Sequence, residues 1–573
     1  MDSAWLDATV RRSMRRLLIA AVSAILLAPA GALAAGPIMP LQEVQPGARC
    51  TGLTVVRGTA ISSFDVEVID VLNRQRPEVA RILVRVSGAA VAATGIGPGF
   101  SGSPIHCTGA DGISRNIGAI SEGIGDYGGF NALATPIEAI LAQPLVPAPA
   151  RSRAGTRSLR GPLTLSGLRP RLGAAISRAA RKAGRTLIAS PASSRASYPP
   201  QPLVPGAALA VGLTSGDVAL GATGTVAYAD GASVWAFGHE FEGAGPRSLF
   251  LQDAYVHTVV NNPVNSPDLS TYKLASPGND LGTVTGDGLA AVTGRLGGLP
   301  PSYPLRVTAR DLDSRRTRSL LVRVADEGDV GRPAGISALG LVAPGALLEA
   351  LTTVKGGTPA RQSGDMCVTV KLRELKRRMR FCNTYTVDGP SSFAIGGPLV
   401  EDLTSAADLL DSFRFGALHP TAVDIGVRIR NGARQAYIVG ARAVGRVRRG
   451  RKMALRLRLR HVGSRRRSTR TVRIRVPSDA RLGRRTLLIN GTRGDAGGDP
   501  FEEGSFSVVF EDESEDSDDE GPQSPEEVGF AFEALARRDD LRVRFPGASS
   551  SSYRDRKLRI SGSATVRVRI RRR

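Results

Sequence analysis

The chain has 573 residues, enough for about three domains that each bury a core of their own. Lys and Arg number 76 against 52 Asp and Glu, which gives a formal net charge of +24. Aromatic residues make up only 5% of the chain, so the basic residues lack the interleaved rings of a stacking platform, and we do not expect nucleic acid as a partner.

The first 35 residues have the pattern of a bacterial export signal. A basic segment that ends at Arg16 precedes an apolar run, Leu17 to Leu27, which is too short to span a bilayer. Ala32-Leu33-Ala34 then gives an A-x-A cleavage pattern. We therefore predict a signal peptide at 1–35 and a secreted or cell-envelope-associated protein. The partners expected for its basic surface in that location are anionic wall polymers or lipid headgroups.

The four cysteines fit an oxidising compartment. Three pairings are open, and proximity favours Cys50 with Cys107 and Cys367 with Cys382. On the chain-entropy model, disulfides that close loops of these lengths stabilise the folded protein by about 4 and about 3 kcal/mol, respectively. No Cys-x-x-Cys or cluster of histidines accompanies them, so we predict no metal site, and nothing else in the chain calls for a cofactor.

Residues 36–145 are predicted to be β-rich. Phe64 to Val71 largely alternates apolar and polar residues, as a half-buried strand does, and Arg81–Val86 and Asn116–Ile120 are further strands. A glycine-rich turn precedes the third of these, and this order indicates a β-barrel half. A short helix is expected over Ala134–Leu141.

Residues 146–205 are rich in Pro, Ala, Ser and Arg, which is typical of a tethering linker. One helix is expected within it, from Gly173 to Arg185, with its basic residues on a solvated face.

Residues 206–345 are predicted to form a second β-barrel half. Ala222–Tyr228 and Ser233–Phe237 read as a hairpin with its turn at Asp230-Gly231. Leu305–Val307 and Ser319–Val324 are expected to be later strands.

The last third is predicted to contain a mixed connecting region at 346–420 and a basic β-sandwich-like domain at 421–512. Within the latter, Val427–Arg430, Leu455–Arg460 and Val472–Val476 alternate apolar residues with arginine, which predicts one core face and one basic face. Residues 513–573 are expected to hold the end of an acidic disordered run, Glu511–Glu520, and a basic tail, Val566–Arg573.

The segment Gly97–Ile105 reads Gly-Pro-Gly-Phe-Ser-Gly-Ser-Pro-Ile. A nucleophilic serine needs a tight turn that exposes its Oγ and leaves backbone N–H groups free to face an oxyanion. Glycine allows such a turn, so Ser101 is the candidate nucleophile, and the N–H groups of Gly99 and Ser101 form the candidate oxyanion hole. Taken alone, the segment is equally typical of a surface turn.

A histidine is the usual base for such a serine, and the chain has five. His239 closes the predicted hairpin, next to Gly238, and is the preferred base. His257 is a competitor, whereas His106 is expected to point away along its strand. The remaining two lie in segments unconnected to either motif: His419 and His461.

The two motifs together resemble the SpoIVB-type serine peptidases. Phe64–Val71, Arg85-Val86-Ser87, Gly97–Ile105 and Gly118-Ala119-Ile120 are similar to that family's serine half, and Gly221–His239 to its histidine half. The resemblance covers roughly residues 45–330. It implies a trypsin-like pair of β-barrels, with Ser101 as nucleophile and His239 as general base, acting on a protein substrate or on the chain itself. The expected fold class is thus mainly β: a trypsin-like double barrel followed by a β-sandwich-like domain.

The chain departs from the family pattern at three points. Serine here precedes histidine, an order that chemistry does not forbid. The family's acidic triad member is expected at position 88, where this chain has Gly88. Asp253 and Glu240 are therefore the candidates for the carboxylate that would orient the histidine. No PDZ-like segment is found.

The sequence is therefore compatible with three functions. The first is an exported serine endopeptidase. The second, motivated by Gly88, is a catalytically silent module for binding or assembly, attached to the envelope by its basic C-terminal domain. The third is an adhesive β-protein without an active site, whose binding to anionic wall material is salt-sensitive.

Overall fold

The structure is a computed structural model, and it is mainly β, as the sequence predicts. It describes residues 36–572 except 77, 125–128, 147–162, 183–185, 192–195, 262–270, 331–337, 356, 358, 389–394, 493–494, 497–520 and 556. The predicted signal peptide, the acidic run Glu511–Glu520 and much of the predicted linker lie outside the described residues. Among the described helices, none combines the length and the apolarity needed to cross a bilayer.

The first unit is a closed six-stranded barrel in the order β1-β2-β3-β6-β5-β4. A 3-10 turn at Leu41–Glu43 precedes it. Its elements are β1 (Arg49–Thr54), β2 (Ser62–Leu72), β3 (Arg81–Ser87), β4 (Pro104–Thr108), β5 (Ser114–Gly123), β6 (Asn131–Pro136) and helix α1 (Ile137–Leu141).

Sequence alternation accounts for the barrel's core. In β2, Phe64, Val66 and Val68 are buried, whereas the intervening Asp65 and Glu67 are exposed, and the three predicted strands of this unit are confirmed. The predicted helix begins later than expected, because residues 131–136 pair with β3 and β5 as a strand.

Both predicted disulfides are confirmed. Cys50 lies directly opposite Cys107 where β1 pairs with β4, and Cys367 bonds Cys382. All four cysteines are therefore paired, which indicates an oxidising environment.

The second unit is an eight-stranded sheet in which six strands pair in a ring. The ring runs β9-β11-β12-β15-β14-β13 and returns to β9, and β7 and β8 extend it from β11. Its elements are β7 (Leu163–Ser166), α2 (Pro170–Lys182), β8 (Leu187–Ala189), β9 (Ala208–Gly212), β11 (Ala219–Asp230), β12 (Ser233–Ala236), β13 (Gly245–Asn261), β14 (Thr271–Asp287) and β15 (Val292–Leu296).

The predicted hairpin is confirmed as β11 and β12. The predicted helix is α2, and its basic residues are exposed as expected, although residues 183–185 lie outside the described part of the chain. Because β7 pairs with β11 and β8 pairs with β7, the described part of the predicted linker extends this sheet on both sides of α2.

A third unit is a seven-stranded sheet in the order β10-β17-β16-β20-β18-β19-β26. Its elements, which include one 3-10 turn, are β10 (Thr214–Gly216), β16 (Ser302–Asp311), β17 (Thr317–Ala325), the turn Gly328–Val330, α3 (Ala338–Val354), β18 (Arg361–Leu372), β19 (Met379–Asp388), α4 (Gly396–Asp411), β20 (Pro420–Asn431) and β26 (Asp495–Ala496).

Three strands predicted for other units lie in this sheet. Leu305–Val307 and Ser319–Val324 belong to β16 and β17, and Val427–Arg430 belongs to β20, which runs parallel to β16. Alternation predicts a strand and its buried face, but it does not predict the neighbouring strand.

The last elements form a four-stranded sheet, β24-β23-β21-β29, and a five-stranded sheet, β22-β30-β25-β27-β28, which share one apolar core. They are β21 (Gln435–Val444), β22 (Val447–Arg448), β23 (Lys452–His461), β24 (Arg467–Arg475), β25 (Gly483–Gly491), β27 (Asp540–Arg544), β28 (Ser551–Arg554), β29 (Arg559–Ser561) and β30 (Ser563–Arg571), with helix α5 (Pro525–Ala534) packed on β19.

Leucines and arginines divide between core and solvent in these sheets as predicted. In β23, Leu457 and Leu459 are buried and Arg458 and Arg460 are exposed. The segment expected as a basic tail from Val566 is different: most of it is strand β30, because its alternating valines and arginines pair with β25.

Candidate functional site

The serine turn, residues 97–103, is a tight glycine-dependent loop between β3 and β4. The Phe100 N–H donates to the Gly97 carbonyl at 3.0 Å, and the Ser103 N–H donates to the Phe100 carbonyl at 2.9 Å. Gly99 and Gly102 have φ of 94° and 91°, in the left-handed region that side chains disfavour. This local geometry is the one that the sequence motif predicts.

Strands of the second unit hold the carbonyls of this turn. The Thr225 N–H donates to the Ser101 carbonyl at 2.9 Å, and Thr225 Oγ1 donates to the Gly99 carbonyl at 3.0 Å. The Lys273 N–H donates to the Pro98 carbonyl at 2.9 Å. The turn therefore belongs to one barrel and is fixed by the other.

The N–H groups of Gly99 and Ser101 are left over from this bonding. Within the described part of the chain, neither donates a hydrogen bond to another group. Ser101 itself is half-buried, so the residue is not sealed in the core. Two unengaged N–H groups next to an accessible serine are what an oxyanion site requires.

His239 lies in the histidine loop, residues 237–244, which follows β12. Phe237 and Gly238 both have positive φ, 69° and 71°, and the first is a strained conformation for a residue with a side chain. Thr135 Oγ1, from β6 of the first barrel, donates to the Gly238 carbonyl at 2.7 Å. The histidine loop is thus anchored on the barrel that carries the serine turn.

The two motifs meet at a shared backbone position. The Ile120 carbonyl accepts the Gly102 N–H at 2.7 Å, and a Cβ built on Gly238 would lie 3.1 Å from the same oxygen. A Cβ on Gly102 would lie 2.7 Å from the Phe237 nitrogen. The structure therefore brings the segments of Ser101 and His239 together, although no hydrogen bond among the described residues joins their side chains.

The imidazole of His239 is oriented by the main chain. Its Nδ1 lies 2.5 Å from the Glu240 carbonyl oxygen, which can only accept a hydrogen bond. Nδ1 must therefore carry the proton, and Nε2 of the neutral ring is left as the proton acceptor. His239 is half-buried, like Ser101.

None of the three positions weighed for an acidic triad member supplies a carboxylate to His239. Gly88, with φ of 96°, lies against β2, where an added Cβ would be 3.0 Å from Asp65 Oδ2. Asp253 is buried and accepts four hydrogen bonds of 2.6–3.0 Å, from the Tyr198 hydroxyl, the Gln201 N–H and both nitrogens of Asn279. Glu240 contacts the imidazole through its main-chain oxygen, a role that side-chain identity does not reveal.

A residue that the sequence analysis missed fixes the histidine loop. The buried carboxylate of Asp287 accepts the N–H groups of Phe241 at 2.7 Å, Glu242 at 2.8 Å and Ala244 at 3.2 Å. Arg247, also buried, lies 3.5 Å from it and pairs more closely, at 2.8 Å, with Glu242 and Glu327. No local motif marks Asp287; only the return of β14 next to the loop places it there.

The other four histidines contact groups away from the serine turn. His257, the competitor, lies 3.0 Å from the buried Ser276 hydroxyl, and burial lowers its pKa. Burial also lowers the pKa of His106, in β4. His419 contacts Asp326 in the third unit and His461 contacts a serine in β24. None of these contacts involves Ser101.

Comparison of the chain with protein-family models, with curated proteins and with solved structures found no match.

Proposed function

We propose that the protein is an exported serine endopeptidase of the SpoIVB type, with Ser101 as nucleophile and His239 as general base. In this proposal the two six-stranded rings are a trypsin-like pair of barrels, and the two basic C-terminal sheets are a β-sandwich-like domain. The substrate is a protein, which includes the chain itself. The observation that carries the proposal is the meeting of the serine turn and the histidine loop at the Ile120 carbonyl.

In the proposed reaction, Ser101 Oγ attacks the carbonyl carbon of the scissile bond while its proton passes to His239 Nε2. The carbonyl electron pair moves onto oxygen, and this oxyanion faces the N–H groups of Gly99 and Ser101. Collapse breaks the C–N bond, and the amine leaves with the proton from His239. Water then attacks the ester in the same way, which releases the acid and restores the serine.

The missing carboxylate affects the expected rate more than the expected chemistry. The Glu240 carbonyl selects the reactive tautomer of His239, but it carries no full charge to stabilise the imidazolium. Catalytic hydrogen bonds are commonly long before substrate binds, so the gap between Ser101 and His239 is compatible with activity. We expect slow turnover, which makes covalent labelling a better assay than peptide hydrolysis.

The second candidate function is a catalytically silent module. It is favoured because, among the described residues, no hydrogen bond joins Ser101 to His239 and no carboxylate contacts the imidazole, as expected for a site that binds and does not react. In that case the exposed arginines of the C-terminal sheets would attach the protein to an anionic wall polymer or a membrane surface.

Labelling with a fluorophosphonate separates the two candidates. The purified, disulfide-bonded protein is compared with Ser101→Ala and His239→Ala, and Ser103→Ala is the matched control in the same turn. The peptidase predicts an adduct at Ser101 in the wild type and the control, and none in the other two variants. The peptidase is excluded by an unlabelled wild type that is folded, or by labelling that survives Ser101→Ala.

A further inference from the structure

Lys273 is a buried lysine directly beneath the serine turn. It lies on β14, is 2% exposed, and extends its side chain between the two barrels. Its Nζ donates to Thr54 Oγ1 of β1 at 2.7 Å and to Thr225 Oγ1 of β11 at 3.2 Å. The ammonium also lies 4.6 Å from the centre of the Phe100 ring.

These contacts contain no carboxylate. Within the described part of the chain, the partners of Nζ are two hydroxyls and one aromatic ring, and no charged neighbour shifts its pKa. Burial alone lowers the pKa of Lys273 to about 7. A buried ammonium without a counter-charge opposes folding, so a stabilising role does not explain this lysine.

Lys273 instead contacts three successive residues of the serine turn, Pro98, Gly99 and Phe100. Its N–H donates to the Pro98 carbonyl, and a Cβ built on Gly99 would lie 2.8 Å from its own Cβ. Thr225 Oγ1 accepts a hydrogen bond from Nζ and donates one to the Gly99 carbonyl. The ammonium thus lies against the turn in which, within the described part of the chain, the N–H groups of Gly99 and Ser101 donate no hydrogen bond.

Given the proposed peptidase function, on which this step rests, we propose that Lys273 is a positioning residue for the oxyanion site of Ser101. Its ammonium holds the serine turn through Thr225 and adds positive potential behind the N–H groups of Gly99 and Ser101. Charge that develops in the transition state is stabilised by such a preorganised field, which acts at low dielectric.

A direct role for Lys273 as the base of a second serine is less consistent with the contacts. Ser103 Oγ donates to Thr54 Oγ1 at 3.0 Å, which makes a chain from Lys273 to Ser103. Ser103 is completely buried, however, so a polypeptide cannot reach it.

The test compares fluorophosphonate labelling rates of the wild type and Lys273→Met, with Lys273→Gln as a second neutral variant. At pH 6 we expect both variants to label Ser101 about tenfold more slowly, less than the roughly 10²- to 10³-fold loss of one oxyanion donor. The ratio of wild-type to variant rate should fall towards one by pH 9, where Lys273 has lost its proton. A purely structural role would leave that ratio constant with pH.

The outcomes distinguish this inference from the function on which it rests. A folded wild type that does not label at Ser101 defeats the peptidase proposal itself. Normal labelling at Ser101 in a folded Lys273→Met protein, or a rate ratio that does not vary with pH, overturns the role of Lys273 alone. If neither neutral variant folds, Lys273 is a structural residue and the inference is also overturned.

Discussion

Replacing Lys273 with methionine should stabilise the second barrel near neutral pH. Methionine fills a similar volume without a charge, and the threonine hydroxyls that contact Lys273 keep other hydrogen bonds, to Ser103 and to the Gly99 carbonyl. The pKa of the lysine falls from 10.5 to about 7 on folding, which corresponds to an upper bound of about 5 kcal/mol opposing folding at low pH.

The sign of the pH dependence follows from this lowered pKa. Between pH 7 and 10.5 the unfolded chain binds a proton at Lys273 that the folded chain releases, so the wild-type free energy of unfolding rises with pH. Lys273→Met lacks this contribution. Relative to the variant, the wild type should therefore gain about 2 kcal/mol between pH 7 and pH 9.

This difference is measured by denaturant unfolding, with the fluorescence of Trp235 on β12 of the same barrel as the signal. Lys371→Met, at an exposed position on β18, is the matched control and should show the same pH dependence as the wild type. Parallel pH profiles for the wild type and Lys273→Met would contradict this prediction, because they would mean that the buried group does not change its protonation on unfolding.

Three further changes test the supports of the site. Asp287→Ala leaves three N–H groups of the histidine loop without their acceptor, so it should slow labelling of Ser101 at least tenfold and destabilise the protein by at least about 2 kcal/mol, measured by labelling kinetics and denaturant unfolding. Gly102→Ala places a methyl group in steric overlap with the Thr225 carbonyl oxygen at positive φ, so it should abolish labelling; wild-type labelling kinetics would contradict the turn geometry. Replacing both Cys367 and Cys382 with serine should lower the free energy of unfolding by about 3 kcal/mol and leave labelling intact, since this disulfide lies outside the barrels.

The parts of the fold that the sequence predicts are those set by short-range patterns. Alternation locates β2, the Asp230-Gly231 turn signal locates the hairpin β11–β12, and glycines mark the left-handed positions Gly99 and Gly102 of the serine turn. Proximity also selects both disulfides. Strand partners are not predicted by such patterns. β20 alternates like the basic C-terminal strands, yet it pairs with β16 and β18. Which neighbour a strand takes depends on contacts far along the chain.

The candidate site also contains both residues that local motifs predict and residues that only strand pairing brings there. Ser101 and His239 are marked by local motifs, and the structure brings their segments together. Lys273 and Asp287 carry no motif: both lie on β14, and only the pairing of that strand brings one to the serine turn and the other to the histidine loop. The orientation of His239 by a main-chain oxygen is also hidden, since a search of side chains looks only for an acid.

The most direct test of the proposed site is a crystal structure of the fluorophosphonate-treated protein. The proposed site predicts a phosphonyl group on Ser101 Oγ, with one oxygen about 2.7–3.1 Å from the N–H nitrogens of both Gly99 and Ser101. The His239 Nε2 should face the serine oxygen, with Nδ1 still bonded to the Glu240 carbonyl. An adduct on another residue, or a phosphonyl oxygen that points away from both N–H groups, would contradict it.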